Sequence, residues 1–157
     1  SRLVRNHDIR DVEDYTKNLE ESLAKISNIP IRNNLTPPEK NLTLADIPSY
    51  YSDAYASIGN EFYNRYEDYE KAKKYYTKAI EIDPLYSKGW AGRAFAKNKL
   101  KDCDGAEKDI VEAIKLFPIE ALYYRLRHFN ALNCMKNQDL ADTLSKEYEK
   151  IFKQRLQ

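Results

Sequence analysis

One phrase occurs twice in this chain, 34 residues apart: Lys78-Ala79-Ile80-Glu81-Ile82-Asp83-Pro84 returns as Glu112-Ala113-Ile114-Lys115-Leu116-Phe117-Pro118. Asp68 recurs as Asp102, Ala72 as Ala106 and Tyr76 as Ile110 at the same offset. Small residues, apolar residues, a helix-start residue and a helix-ending proline therefore repeat in phase. A fixed period of this length is the signature of stacked helix–turn–helix units. The expected fold class is all-α.

Composition agrees. With 4 Gly, 6 Pro and 32% charged residues in 157, the chain suits helices better than sheets, which need many tight turns. The length suits one domain. With 26 basic against 25 acidic residues, the net charge of +1 gives no global pull toward nucleic acid or anionic membrane. No apolar run is long enough to span a bilayer, and no signal-peptide pattern opens the chain. A start at Ser1 fits a fragment or a processed form. Cys103 and Cys134, isolated in sequence, fit a reducing compartment, and the expected location is cytoplasmic. Asn34-Leu35-Thr36 and Asn41-Leu42-Thr43 have the form of glycosylation acceptors and are read as chance matches.

Residues 1–48 read as an extension and 49–157 as the array. Residues 1–6 are expected to fray. Ile9, Val12, Tyr15, Leu19, Leu23 and Ile26 recur at helical steps, so residues 7–27 form an amphipathic helix with one buried stripe. Its early acids, Asp8 and Asp11, suit the helix dipole, and Pro30 stops it. Residues 29–48 are a connector rich in Asn and Pro, with a capping-box form at Thr36-Pro37-Pro38-Glu39. Leu35, Leu42, Leu44 and Ile47 suit packing along the array; a lid over it is the alternative. A helix capped by Ser49 or Ser52 then runs to about 66, and one capped by Asp68 runs to Asp83. Further helices cover about 87–99, then 102–117 capped by Asp102, and 120–135. Asn137-Gln138-Asp139 is a turn, and a last helix from Leu140 carries Leu144, Tyr148, Ile151 and Phe152 near one face.

Tyr55-x-x-Ile58-Gly59-x-x-Phe62, followed by Ala72-x-x-x-Tyr76 and Pro84, resembles the tetratricopeptide repeat pattern. A second unit has Trp90 for Tyr55 and Ala94 for the glycine, then Ala106, Ala113 and Pro118. The resemblance implies a right-handed α–α superhelix with an extra N-terminal helix. Repeat 1 spans about 52–86, repeat 2 about 87–120, and a degenerate repeat with capping helices 121–157. Gly59, Ala72, Ala79, Ala94, Ala106 and Ala113 are small enough for close helix approach. The chain also departs from the pattern. One extra residue lies in the turn at 64–67, and Arg93 and Lys97 stand where large apolar residues belong. In the third unit Tyr124 is in phase with Trp90, but Arg127 and His128 replace the core pair. Its apolar face reads as Leu122, Leu126 and Phe129, so a rotated register stays open.

Catalytic and metal signatures are not found. His7 and His128 are far apart, and the chain has no Cys-x-x-Cys, His-Glu-x-x-His or phosphate loop. Cys103 opens a helix beside Asp102, Asp104 and Glu107, which oppose a lowered thiol pKa, so it reads as inert. The 13 tyrosines read as packing residues rather than base-stacking platforms. No cofactor, catalysis or nucleic-acid partner is expected, nor direct membrane insertion.

By resemblance, the first helix of each repeat lines a concave groove for a peptide. The stripe flanking the packed face runs Asp53, Ala56, Asn60, Tyr63 and Asn64 in the first unit. It runs Lys88, Ala91, Phe95, Asn98 and Lys99 in the second, and Leu122, Arg125, Phe129, Leu132 and Asn133 in the third. The candidate partner-binding residues are Asn60, Tyr63, Asn64, Lys88, Phe95, Asn98, Lys99, Arg125, Phe129 and Asn133. Amides can read a ligand backbone, and the three cations favour an acidic partner, or one with an aromatic or apolar anchor. For Phe95 and Phe129, a plain core role is an equal reading. Asn60 fits the set with which one subgroup clamps chaperone carboxylates; Ala56, Gly92, Leu122 and Leu126 stand where its other partners belong and argue against such a clamp. The leading reading is a cytoplasmic adaptor or scaffold that binds a protein or peptide. The alternatives are self-association and an accessory domain of a larger enzyme or membrane-anchored protein.

Overall fold

The computed structural model describes residues 2–27 and 46–153, with side chains over 10–22 and 51–153. The readings on the connector (the Thr36 capping box, Leu35, Leu42, Leu44, both glycosylation triplets) lie outside the described residues, as do the Pro30 stop and the side chains of Ile9, Leu23, Ile26 and Ile47. Among the described residues seven α-helices follow one another: α1 (Arg2–Ser27), α2 (Asp46–Asn64), α3 (Tyr69–Ile82), α4 (Ser87–Lys99), α5 (Cys103–Leu116), α6 (Ala121–Phe129) and α7 (Gln138–Phe152). A π-helical segment, Asn130–Cys134, continues α6. No strand occurs among the described residues. From α2 onward each helix packs on the next, and α2 also touches α4.

The turn inside each pair has one construction. A residue in the left-handed region comes first: Glu67 at φ 51°, Lys101 at 65° and Lys136 at 55°. An Asx cap follows. Asp68 Oδ1 accepts from Lys71 N at 3.1 Å, Asp102 Oδ1 from Gly105 N at 3.0 Å and Asn137 Oδ1 from Leu140 N at 3.0 Å. Each cap satisfies an otherwise orphaned helix-start donor. Asn137 is therefore a cap rather than part of a three-residue turn, and α7 begins at Gln138. Neither Ser49 nor Ser52 caps α2, which starts earlier, at Asp46. Ser52 instead is fully buried, and its Oγ donates to Ala79 O at 2.8 Å, stitching α2 to α3.

The core forms around small residues. Ala72, Ala79, Ala94, Ala106 and Ala113 are completely buried, as their role in close helix approach requires. Tyr75 stacks between Phe62 at 5.4 Å and Tyr55 at 6.5 Å. Tyr51, Tyr55, Tyr75, Tyr76, Tyr123, Tyr124 and Tyr148 are all buried. Each such ring contributes up to about 3 kcal/mol of apolar burial.

Arg93 and Lys97 depart from the repeat pattern for a visible reason. Asp109, 3% exposed, accepts two bonds from Arg93, Nε to Oδ2 and Nη2 to Oδ1, both at 2.8 Å, and Lys97 Nζ lies 2.9 Å away. An ion triad centred on buried Asp109, with half-buried Arg93 and Lys97, thus takes the place of an apolar contact between α4 and α5.

Three further readings are corrected. In α1 the buried stripe runs through half-buried Val12 and buried Thr16 and Leu19, while Tyr15 is 52% exposed. The first turn of α1 also holds no acid, because the helix starts at Arg2. Glu13 meets Lys71, and Glu20 meets Lys78 seven residues on, so α1 runs parallel to α3. The Glu20 hydrogen bond raises the Lys78 ammonium pKa above its ordinary value.

The third unit is the second correction. Leu122 and Phe129 are exposed at 48% and 51%, and the buried face is Tyr123, Tyr124, Leu126, Asn130 and Ala131. One extra residue relative to the second unit is absorbed as a π turn, in which Met135 N donates to Asn130 O at 2.9 Å. The cysteines are the third. Cys103 and Cys134 are joined as a disulfide, so isolation in sequence did not mean isolation in space, and the cysteine argument for a reducing compartment does not hold. No helix of the described residues is long and apolar enough to cross a membrane.

Candidate functional site

The same short turns that stack α2, α4 and α6 put one flank of each helix on a common concave side. Two adjoining hollows open there, of about 380 and 520 Å³, sharing Tyr63, Phe95 and Leu122 as the ridge between them. Asn60, Tyr63, Asn64, Lys88 and Phe95 line the first; Tyr63, Phe95, Asn98, Lys99, Arg125, Phe129 and Asn133 line the second. All ten candidate residues therefore come together. Of the flanking stripe, Asp53 and Ala56 line neither hollow, while Ala91, Leu122 and Leu132 do.

Burial separates their roles. Asn60, Asn64, Lys88, Lys99, Arg125, Phe129 and Asn133 are exposed, and Tyr63 and Phe95 are half-buried. Phe95 meets Tyr63 edge-on at 6.1 Å, and Tyr63 meets Tyr69 at 5.2 Å. This edge-to-face chain holds the ridge rings in one orientation. Lys99 sits 5.9 Å over the Tyr69 ring. Arg125 Nε and Nη2 donate to the Tyr148 hydroxyl at 3.3 and 3.2 Å, so α7 steadies that cation. Asn98 is buried, and its Nδ2 donates to Asn130 Oδ1 at 2.9 Å, so this amide serves the core as well as the wall.

Tyr76, Gly92, Glu120, Tyr123 and His128 also line the hollows and were not among the candidates. Tyr76 forms the floor of the first. Burial pushes its hydroxyl pKa well above the ordinary 10.0, so it stays a donor, and it donates to Asn60 Oδ1. The sequence did signal this residue: two glycines, Gly59 and Gly92, flank its ring. A Cβ at Gly92 would lie 2.3 Å from Tyr76 Cε1, and one at Gly59 would lie 2.9 Å away. Gly92→Ala therefore lowers stability by about 1–3 kcal/mol, although alanine is the better helix former by roughly 1 kcal/mol. Urea unfolding checks this. In a Tyr76→Ala background the same change becomes neutral or stabilising, because the ring is gone.

Glu120 places one carboxylate at the mouth of the first hollow, where it also caps α6 through Leu122 N at 3.1 Å. Set against Lys88, Lys99 and Arg125, the lining remains cationic on balance. Among the described residues, no group of three or more His, Cys, Asp or Glu side chains could hold a metal ion.

Comparison with known proteins agrees with this architecture. Residues 52–84 match the family model described as tetratricopeptide repeat. Among solved structures, the chain is similar to the Arabidopsis OM64 TPR domain, with a TM-score of 0.61 and 20% identity, over 66% of this chain and 84% of that one. At that identity the likeness is one of fold.

Proposed function

We propose that this chain, which belongs to the tetratricopeptide repeat family, is a non-catalytic protein-interaction module that holds a partner segment along the concave side of α2, α4 and α6. One observation carries the reading: two adjoining hollows whose walls combine exposed apolar side chains with amides and three cations. Leu122, Phe129 and Leu132 expose apolar surface there without covering one another completely. Such a wall suits an apolar or aromatic anchor on the partner. Lys88, Lys99 and Arg125 suit acidic residues flanking that anchor. With its acceptor side taken by Tyr76, Asn60 offers its amide donors to a backbone carbonyl. The role is that of an adaptor or scaffold.

A peptide array probed with the intact chain and with the Lys88→Glu/Arg125→Glu variant tests this. Acidic peptides with an apolar anchor bind the intact chain, and the variant weakens them by about tenfold or more, with the loss shrinking at high salt as screening removes the charge contribution. If the variant keeps every binder, the working surface lies elsewhere, on the convex side or on α1 or α7.

Self-association is the second reading, favoured by exposed Leu122, Phe129 and Leu132 on one unit. Light scattering at high concentration decides it: a strictly monomeric mass removes it.

A further inference from the structure

Cys103 opens α5 and Cys134 closes the π segment, 31 residues later, with Cα atoms 5.6 Å apart and the two sulfurs bonded. Both residues are half-exposed. A second link runs beside this bond. Buried Asn130 donates from Nδ2 to Cys103 O at 2.9 Å and accepts at Oδ1 from Asn98 Nδ2 at 2.9 Å. The disulfide and the amide relay thus tie the π segment to α4 and α5 in parallel. Three wall residues of the second hollow, Phe129, Leu132 and Asn133, lie on or next to that segment. Asn60, Asn64 and Lys88, which line the first hollow alone, lie on α2 and α4.

We propose that the Cys103–Cys134 pair is a thiol-redox site whose state sets the rigidity of the second hollow. The reductant is a dithiol. One of its thiolates attacks one sulfur of the pair, the S–S bond breaks, and the departing cysteine leaves as a thiolate and takes up a proton. The second thiol of the reductant then attacks the reductant's own sulfur in the mixed disulfide, and the remaining protein cysteine leaves as a thiolate and takes up a proton. Two electrons pass to the protein, which ends with two thiols, and the dithiol ends as its own disulfide. The amide relay keeps the helices docked in the reduced chain. The π segment loses its covalent pin, and a π turn, which carries an extra residue in the helical ladder, is the element least able to hold itself without one. Phe129, Leu132 and Asn133 then sample more positions, while the α2 wall of the first hollow, Asn60 and Asn64, is unchanged. The consequence for partner binding rests on the groove reading above; the redox chemistry and the loosening do not.

The test uses the full chain, native buffer and dithiothreitol, with thiol alkylation followed by mass spectrometry and amide hydrogen exchange. Reduction makes both cysteines alkylatable without unfolding. Exchange across 121–137 then speeds by about tenfold, local opening being set by local contacts, while α2 and α3 stay within about twofold. Cys134→Ser without reductant matches the reduced chain and no longer responds to dithiothreitol; Cys103→Ser serves if that variant does not fold. Cysteines that resist alkylation after native reduction overturn the proposal. So does unchanged exchange across 121–137, or an equal rise in every helix. Because these readings need no partner, failure here stays distinct from failure of the charge-reversal test of the groove.

Discussion

Asp109→Ala lowers the folding stability by about 3–5 kcal/mol, the range for removing one partner of a buried ion pair. Asp109 is 3% exposed, and the charges of Arg93 and Lys97, each 17% exposed, both point at its carboxylate. The substitution strands two largely desolvated cations between α4 and α5. The lost side chain itself is small, so the cost is electrostatic rather than a cavity. A contrast isolates that cause. Replacing all three residues with apolar ones, as in Arg93→Met/Lys97→Met/Asp109→Leu, comes close to neutral, because burying ions is itself costly. Urea unfolding reads both: the single variant shifts the midpoint sharply at unchanged slope, and the triple variant does not. A loss under about 1 kcal/mol for Asp109→Ala would place the triad with exposed surface pairs and overturn this account of the α4–α5 contact.

The repeat made the helices legible because its signals are local. A proline after each second helix, an aspartate before it and small residues at fixed offsets act within one or two turns, and Asp68 and Asp102 cap where they were expected to. The groove flank was legible for the same reason: once the packed face of α2 is fixed by Tyr55, Ile58 and Phe62, the neighbouring stripe follows from helical geometry. What stayed hidden depends on pairs distant in sequence. Arg93 and Lys97 look like errors in a pattern until Asp109 comes to them across the turn between α4 and α5. Cys103 and Cys134 look isolated until α6 folds back beside α5. Leu122 and Phe129 carry two readings in the sequence, core face and groove flank; one extra residue in the third unit is taken up as a π turn, and Tyr123, Tyr124 and Leu126 form the buried face. Tyr15 misled in the same way: an aromatic at helical spacing, it is 52% exposed among the described residues.

Asn130→Ala tests how that third unit is held. Asn130 is completely buried, and two groups depend on it: the Cys103 carbonyl and the Asn98 amide. Alanine leaves the buried Asn98 amide without its partner and removes the side-chain bond to the Cys103 carbonyl, which keeps its place in the α5 ladder. The orphaned amide costs about 1–3 kcal/mol and the lost bond about 1 kcal/mol, so a loss of about 2–4 kcal/mol is expected in urea unfolding. Removing Asn98 alone, as Asn98→Ala, orphans only the Asn130 Oδ1 and costs less. The double variant decides the mechanism. With both amides gone, one donor and one acceptor disappear together, and the Cys103 carbonyl keeps only its bond within α5. Its loss should therefore fall short of the summed single losses by about 0.5–3 kcal/mol, the coupling seen between residues in direct contact. Additive losses would mean the two asparagines act separately, and the link between α4 and the π segment would then rest on the disulfide and packing alone. In that case reduction of Cys103–Cys134 would release the third unit from α5 instead of only loosening it, so the same cycle run in dithiothreitol measures how much of the array's end the amide relay can hold unaided.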